Sequence, residues 1–151
     1  MQPINNMKIQ FDSKSANEAF ARVVVSAFAS QLDPTLGELA DLKTAVSEAV
    51  TNSIIHGYEQ NEGIIYMECR LFSDSIEVKV QDMGIGIDDV EKARIPTYTS
   101  KPELERSGMG FSVMESFMDS LEVVSAKGEG TTVVMTKKFI QQKDRSFSCE
   151  G

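Results

Sequence analysis

Residues 47–58 read SEAVTNSIIHGY, and they continue a pattern that begins at Leu39. Leu39, Leu42, Val46, Ala49, Val50 and Ile54 recur at three- and four-residue steps, which predicts an amphipathic helix with a wide buried stripe. Glu48 and Asn52 lie one turn apart, so they stack on one side of that helix, next to the stripe. A carboxylate there can take a proton from an attacking hydroxyl or water, and a carboxamide oxygen is a hard, uncharged ligand suited to Mg²⁺. Taken alone, the pair also fits a solvated helix face.

Upstream, Thr35 and Glu38 have capping-box spacing and open this helix after the Asp33-Pro34 break. Ser15 and Glu18 have the same spacing ahead of a second helix, whose expected apolar face is Ala19, Phe20, Val23, Val24, Ala27 and Phe28. Residues 7–11, MKIQF, alternate as a short edge strand. Downstream, His56 sits in the last turn and Gly57 suits a left-handed position that ends the helix.

Residues 63–72 and 75–81 are strand-patterned and joined by Ser73-Asp74 as a hairpin. Ile76, Val78 and Val80 alternate with Glu77, Lys79 and Gln81, so one face is buried and the other wet. The run ends in Asp82-Met83-Gly84-Ile85-Gly86, where glycines let the backbone turn sharply and approach a ligand closely. Calcium loops and plain turns share this DxGxG spacing. Residues 88–94 suggest a short helix, and 95–106, IPTYTSKPELER, read as a long loop of the kind that forms lids. Ser107-Gly108-Met109-Gly110 then leads into a helix over 111–118, whose N-terminal N–H groups could hold a phosphate or could serve close packing alone. Residues 121–127 and 131–139 are two further strands joined by Gly128-Glu129-Gly130, with Thr132 near the start of the last.

Strand, two helices, two strands, loop, helix and two strands predict an α+β chain: a two-layer sandwich, helices on one face of a mixed, mostly antiparallel sheet. Residues 1–139 are expected to be one domain and 140–151 a polar tail. A net charge of −8 disfavours nucleic acid and anionic membrane, which need a Lys/Arg face. There is no apolar run of spanning length and no signal-peptide pattern, so a cytoplasmic location is expected. Cys69 and Cys149 lack paired spacing and His56 is the single histidine, which argues against a disulfide or a zinc site.

ExxxN on a helix, DxGxG after a strand, a Pro-containing loop ending in GMGF and a Thr on a late strand together resemble the ATP-binding domain of the GHKL superfamily (gyrase, Hsp90, MutL and histidine kinases). The resemblance implies that fold, with Asn52 as magnesium ligand and Asp82 binding the adenine amino group. It also implies Gly84 and Gly86 beside the nucleotide, Gly108 and Gly110 over the phosphates, and Thr132 near the adenine. The segments FARVVVSAFASQLDPT, VSEAVTNSIIHGYE and TSKPELERSGMGFSVMESFMD further resemble the anti-sigma serine kinases of sporulating bacteria, from about Phe11 to Thr136. That likeness implies a homodimer that binds ATP or ADP with Mg²⁺, holds sigma factor F inactive, and phosphorylates a serine of an anti-anti-sigma partner, SpoIIAA. It assigns sigma contact to Arg22 and adds Arg106, Ser107 and Met109 to the nucleotide site.

One expectation stands without the family. Histidine kinases phosphorylate a His on a separate helical hairpin, but the one histidine here lies within the binding helix. The acceptor is therefore another molecule or water, and Glu48 suits either as base. Lys101 and Arg106 are the cations available to the phosphates. The alternatives are a general-stress-type anti-sigma kinase, an ATPase module that drives a clamp, and a binding module without catalysis.

Overall fold

The computed structural model describes residues 2–59, 61–87 and 110–140. β1 (Asn5–Asp12) leads into α1 (Ala16–Ala29), a short 3₁₀ turn (Ser30–Leu32) and α2 (Leu36–Asn52). A π-helical turn (Ser53–Gly57) follows, then the hairpin of β2 (Ile64–Leu71) and β3 (Ser75–Asp82). Later in the chain come α3 (Gly110–Phe117), β4 (Ser120–Ser125) and β5 (Thr131–Lys138). The strands form one sheet in the order β1-β2-β3-β5-β4, with β1 at an edge, and every pairing is antiparallel.

Period-2 alternation sets the layers. Ile65, Met67, Cys69 and Leu71 of β2 and Ile76, Val78 and Val80 of β3 turn to one face and are buried under the helices. The other face is polar: Glu68 takes a hydrogen bond from Asn6 at 3.1 Å and lies 3.6 Å from Lys79 and 3.9 Å from Lys8. The Asn6 bond foremost, with the neighbouring cations, holds its carboxyl below the usual range against the opposing effect of burial. Cys69, buried beneath the helices, has its thiol pushed up to about 12 and is inert packing in the folded chain.

α2 is the central helix, packed against both α1 and α3, with Leu42, Ala45, Val46, Ala49 and Val50 wholly buried. Its N-terminus carries the expected capping box: Glu38 N–H donates to Thr35 Oγ1 at 3.0 Å, and Thr35 N–H donates to the Glu38 carboxylate at 2.8 Å. Asp33, at φ 53°, makes the expected break before Pro34.

α1 corrects two expectations. Ser15 makes no side-chain cap, because it is itself in the helical region and Glu18 is turned elsewhere. The carboxylate of Glu18 instead pairs with Arg22 at 2.8 Å and accepts a hydrogen bond from Ser47 of α2. The buried stripe of α1 is Ala21, Val25 and Ala29, flanked by the partly buried Val24 and Phe28, whereas Ala19, Phe20, Val23 and Ala27 are exposed. FARVVVSAFA is apolar nearly all round, so periodicity alone leaves its inward face undetermined.

Candidate functional site

The site is built around Asp82, the last residue of β3, which is 1% exposed. Continuing the alternation of Ile76, Val78 and Val80 sends its side chain inward, toward the C-terminal end of α2. Ser53 Oγ donates to one carboxylate oxygen at 2.9 Å and the Gly84 N–H donates to the other at 2.9 Å. Burial is the largest influence on this carboxyl and pushes its pKa up, while the bonds from Gly84, Ser53 and the Thr131 backbone pull the other way. The result is a fixed acceptor in a shielded place.

Why the chain can come so close is a matter of missing side chains. A Cβ on Gly57 would lie 2.8 Å from all three atoms of the Asp82 carboxyl group, and one on Gly84 would lie 2.0 Å from the Gly57 carbonyl oxygen. That carbonyl accepts from the Ile85 N–H at 2.9 Å, which locks the DxGxG turn onto the end of α2. The end itself widens into the π turn, closed by Tyr58 N–H to Ser53 O at 2.9 Å, and so presents both Ser53 and Gly57 to Asp82. Gly57 therefore does not hold the left-handed position expected of it. Glu59 does, at φ 53°, and Gly57 is required by the approach of Asp82.

Thr132 needs the same kind of correction. It pairs with Gln81, whose side chain faces the wet side of the sheet, whereas Thr131 pairs with Asp82 and is 4% exposed on the inner side. One residue of strand reverses the face, so Thr131, not Thr132, stands beside the buried acid. Counting back in twos from Met135 and Val133 identifies it from sequence. Ser53 was legible too, as the next position after Val46, Ala49 and Val50 on the inner stripe of α2. Tyr58 had no such signal: its hydroxyl accepts from the Met83 N–H at 2.8 Å and donates to Ile64 O at 2.6 Å, stapling the turn to β2.

Glu48 and Asn52 are both half-buried on α2, and Asn52 immediately precedes Ser53. Gly86, at φ 78°, packs against the Ala126 carbonyl, and Gly110 begins α3. Arg22 is on α1, its side chain 43% exposed and ion-paired to Glu18. Lys101, Arg106, Ser107, Gly108 and Met109 lie outside the described residues, as do the expected helix at 88–94 and the loop at 95–106. Among the described residues no three His, Cys, Asp or Glu gather as a metal cage. Mg²⁺ beside a triphosphate takes one or two protein ligands, for which the Asn52 carboxamide is a suitable type. A surface cavity of 420 Å³ between the ends of β1 and β2, lined by Asp12, Lys14 and Glu62 among others, is separate from Asp82 and its glycine walls.

The raised pKa of Asp82 has a direction in stability. A carboxyl whose folded-state pKa exceeds the unfolded one contributes most below the unfolded value, and that contribution is lost as pH rises through the folded value. Without nucleotide, Asp82→Asn is expected to melt above the wild type at neutral pH, with the gap closing as pH falls toward the carboxyl range; scanning calorimetry across that interval checks it. A gap that widens on acidification would reverse the sign.

The model of the histidine kinase-like ATPase domain matches residues 11–137. An anti-sigma F factor of Clostridium kluyveri is 64% identical over 135 residues, covering 89% of this chain and 95% of its own, and one of Clostridium beijerinckii is 62% identical over 136 residues with the same coverage. An anti-sigma F factor of Oceanobacillus iheyensis is 58% identical over 140 residues, covering 92% and 96%. Among solved structures, the RsbU and RsbW domains of Rv1364c from Mycobacterium tuberculosis share the fold at a TM-score of 0.64 and 18% identity, over 91% of this chain and 32% of that one. With a domain match over most of its length and relatives at this identity, the chain belongs to the anti-sigma F factor family of histidine kinase-like ATPase domains.

Proposed function

We propose that this chain is an ATP-dependent protein serine kinase and anti-sigma factor: it binds and inhibits sigma factor F and phosphorylates the anti-anti-sigma partner SpoIIAA on serine. The observation that carries the kinase part is the buried Asp82, held by Ser53 and Gly84 in a glycine-walled cradle at the end of the helix that bears Glu48 and Asn52. The two glycines let the DxGxG turn and the end of α2 close on Asp82, and in this reading the amino group of adenine would donate to the Asp82 carboxylate. When bound, Mg-ATP supplies the γ-phosphoryl group and the metal screens its charge.

Each residue then has a defined task. Glu48, from the side of α2, accepts the proton of the attacking serine hydroxyl. Asn52 offers a neutral oxygen to the metal, so no carboxylate opposes the phosphates there. Gly84 and Gly86 let the backbone follow the nucleotide, with Gly108, Gly110, Met109, Ser107 and Arg106 assigned to the phosphates. Thr131, in place of Thr132, is assigned to the adenine.

Arg22 is assigned to the sigma factor. Its side chain, 43% exposed, is paired to Glu18, so a partner's carboxylate would compete with Glu18 for it. A homodimer acting in the cytoplasm, without direct contact with nucleic acid or membrane, completes the reading; no helix among the described residues is long and apolar enough to cross a membrane.

Incubating the purified chain with Mg-ATP and SpoIIAA is the direct test. Phosphoserine on SpoIIAA is the expected product. Free phosphate alone would favour an ATPase, and neither product would leave only a binding module. In the same series Asp82→Asn is expected to weaken ADP binding, because an amide can donate where the adenine amino group needs an acceptor.

A further inference from the structure

We propose that Ser125 is a positioning residue that keeps the Thr131 hydroxyl an acceptor toward the nucleobase, and thereby makes the cradle select adenine over guanine. The inference rests on the reading of Asp82 as the adenine-binding acid. Ser125 ends β4 and pairs with Thr131 across the β4–β5 ladder, and Thr131 in turn pairs with Asp82 of β3. Its Oγ lies 2.8 Å from Thr131 Oγ1 and 2.9 Å from the Gly130 carbonyl oxygen, and it accepts from the Ile87 N–H at 2.8 Å.

The protons can be counted. Each hydroxyl has one proton and two lone pairs, and Gly130 O can only accept. If Ser125 donates to Gly130 O, Thr131 donates to Ser125, whose two lone pairs are then filled by Thr131 and the Ile87 N–H. Every donor in the cluster has an acceptor. If Ser125 donates to Thr131 instead, Gly130 O loses this bond and the Thr131 proton is left without a partner in a 4% exposed position. The first arrangement is the more complete, and in it the Thr131 hydroxyl has only lone pairs left for a group bound beside Asp82. Asp82, when ionised, is an acceptor as well.

Two acceptors side by side suit the exocyclic amino group of adenine and repel the carbonyl oxygen that guanine carries at the same position. Ser125→Ala removes the atom that accepts the Thr131 proton. The freed hydroxyl can then turn and donate to guanine.

Calorimetric titration of the full chain with ADP and with GDP tests this in the wild type, Ser125→Ala, Ser125→Thr and Ser125→Cys. The wild type is expected to prefer ADP, the alanine variant to narrow that preference about tenfold, and threonine, which keeps the hydroxyl, to retain it. Cysteine leaves no cavity and loses most of the hydrogen bonding, so it should behave as alanine does even if alanine folds poorly. A wild type that binds ADP, with alanine and cysteine variants that keep its full ADP-to-GDP ratio, overturns the role of Ser125 alone. A merely structural Ser125 would lower the melting temperature and leave that ratio unchanged. A folded wild type that takes up neither nucleotide overturns the adenine reading and this inference with it.

Discussion

Glu48→Gln is expected to lower phosphoryl transfer to the protein serine by about 10²- to 10⁴-fold while leaving ADP affinity unchanged. The two side chains have the same shape, and α2 around them is fixed by the wholly buried Val46, Ala49 and Val50. In the proposed mechanism the substitution removes the group that accepts a proton from the serine hydroxyl as phosphorus is attacked. A loss of this size corresponds to about 3 to 5 kcal/mol of transition-state stabilisation, beyond what a single rearranged surface contact supplies. The nucleotide contacts proposed for Asp82 lie past the end of the helix, with Ser53 and the π turn between, and should be untouched. Single-turnover transfer from radiolabelled ATP, with ADP calorimetry on the same sample, separates the two effects. Transfer at the wild-type rate would remove Glu48 from its role as base.

The sequence was most legible where the controlling interactions are local. The Thr35–Glu38 box is complete within one helical turn, and Asp33-Pro34 stops a helix by its own backbone preferences; both are found as expected. Strands and hairpins followed from alternation because one face of this sheet is dry and the other carries ions such as Glu68 and Lys79. Reading failed where a distant partner intervened. Glu18 is drawn from the Ser15 cap by Arg22 and by Ser47, 29 residues away. Gly57 was the right residue for the wrong reason, since the group that demands a glycine there is Asp82 on another element. Thr131 and Thr132 are adjacent and chemically identical, and only the strand register distinguishes them. Around the candidate site, the sequence offered Asp82, Asn52 and the glycines as expectations, and helix and strand period place Ser53 and Thr131 on the inner face; the Ser53 bond to Asp82 and the Thr131–Ser125 contact emerged only from the fold.

Gly84→Ala should abolish measurable ADP binding, a loss of at least about 100-fold, although the substitution adds a single methyl group. The added Cβ would stand 2.0 Å from the Gly57 carbonyl oxygen, 2.3 Å from its carbon and 2.8 Å from its Cα. All three are backbone atoms, so no rotamer change relieves the contact and the turn must move. Movement breaks two bonds together: Ile85 N–H to Gly57 O, which ties the turn to α2, and Gly84 N–H to the Asp82 carboxylate. The second matters more, because it leaves a deeply buried acid with one donor fewer. Hydrogen bonds to charged groups contribute about 1.5 to 3 kcal/mol, and in the proposed reading the displaced turn also borders the nucleotide. Gly57→Ala makes an informative contrast. Its Cβ would meet the Asp82 carboxyl group, a side chain and not backbone, so stability should fall less than in Gly84→Ala while the acid is pushed from the position that the adenine reading requires. Paired melting curves and ADP titrations should therefore show both variants failing to bind and only Gly84→Ala melting far below the wild type. Undiminished ADP affinity in Gly84→Ala would mean that the nucleotide does not lie against this turn.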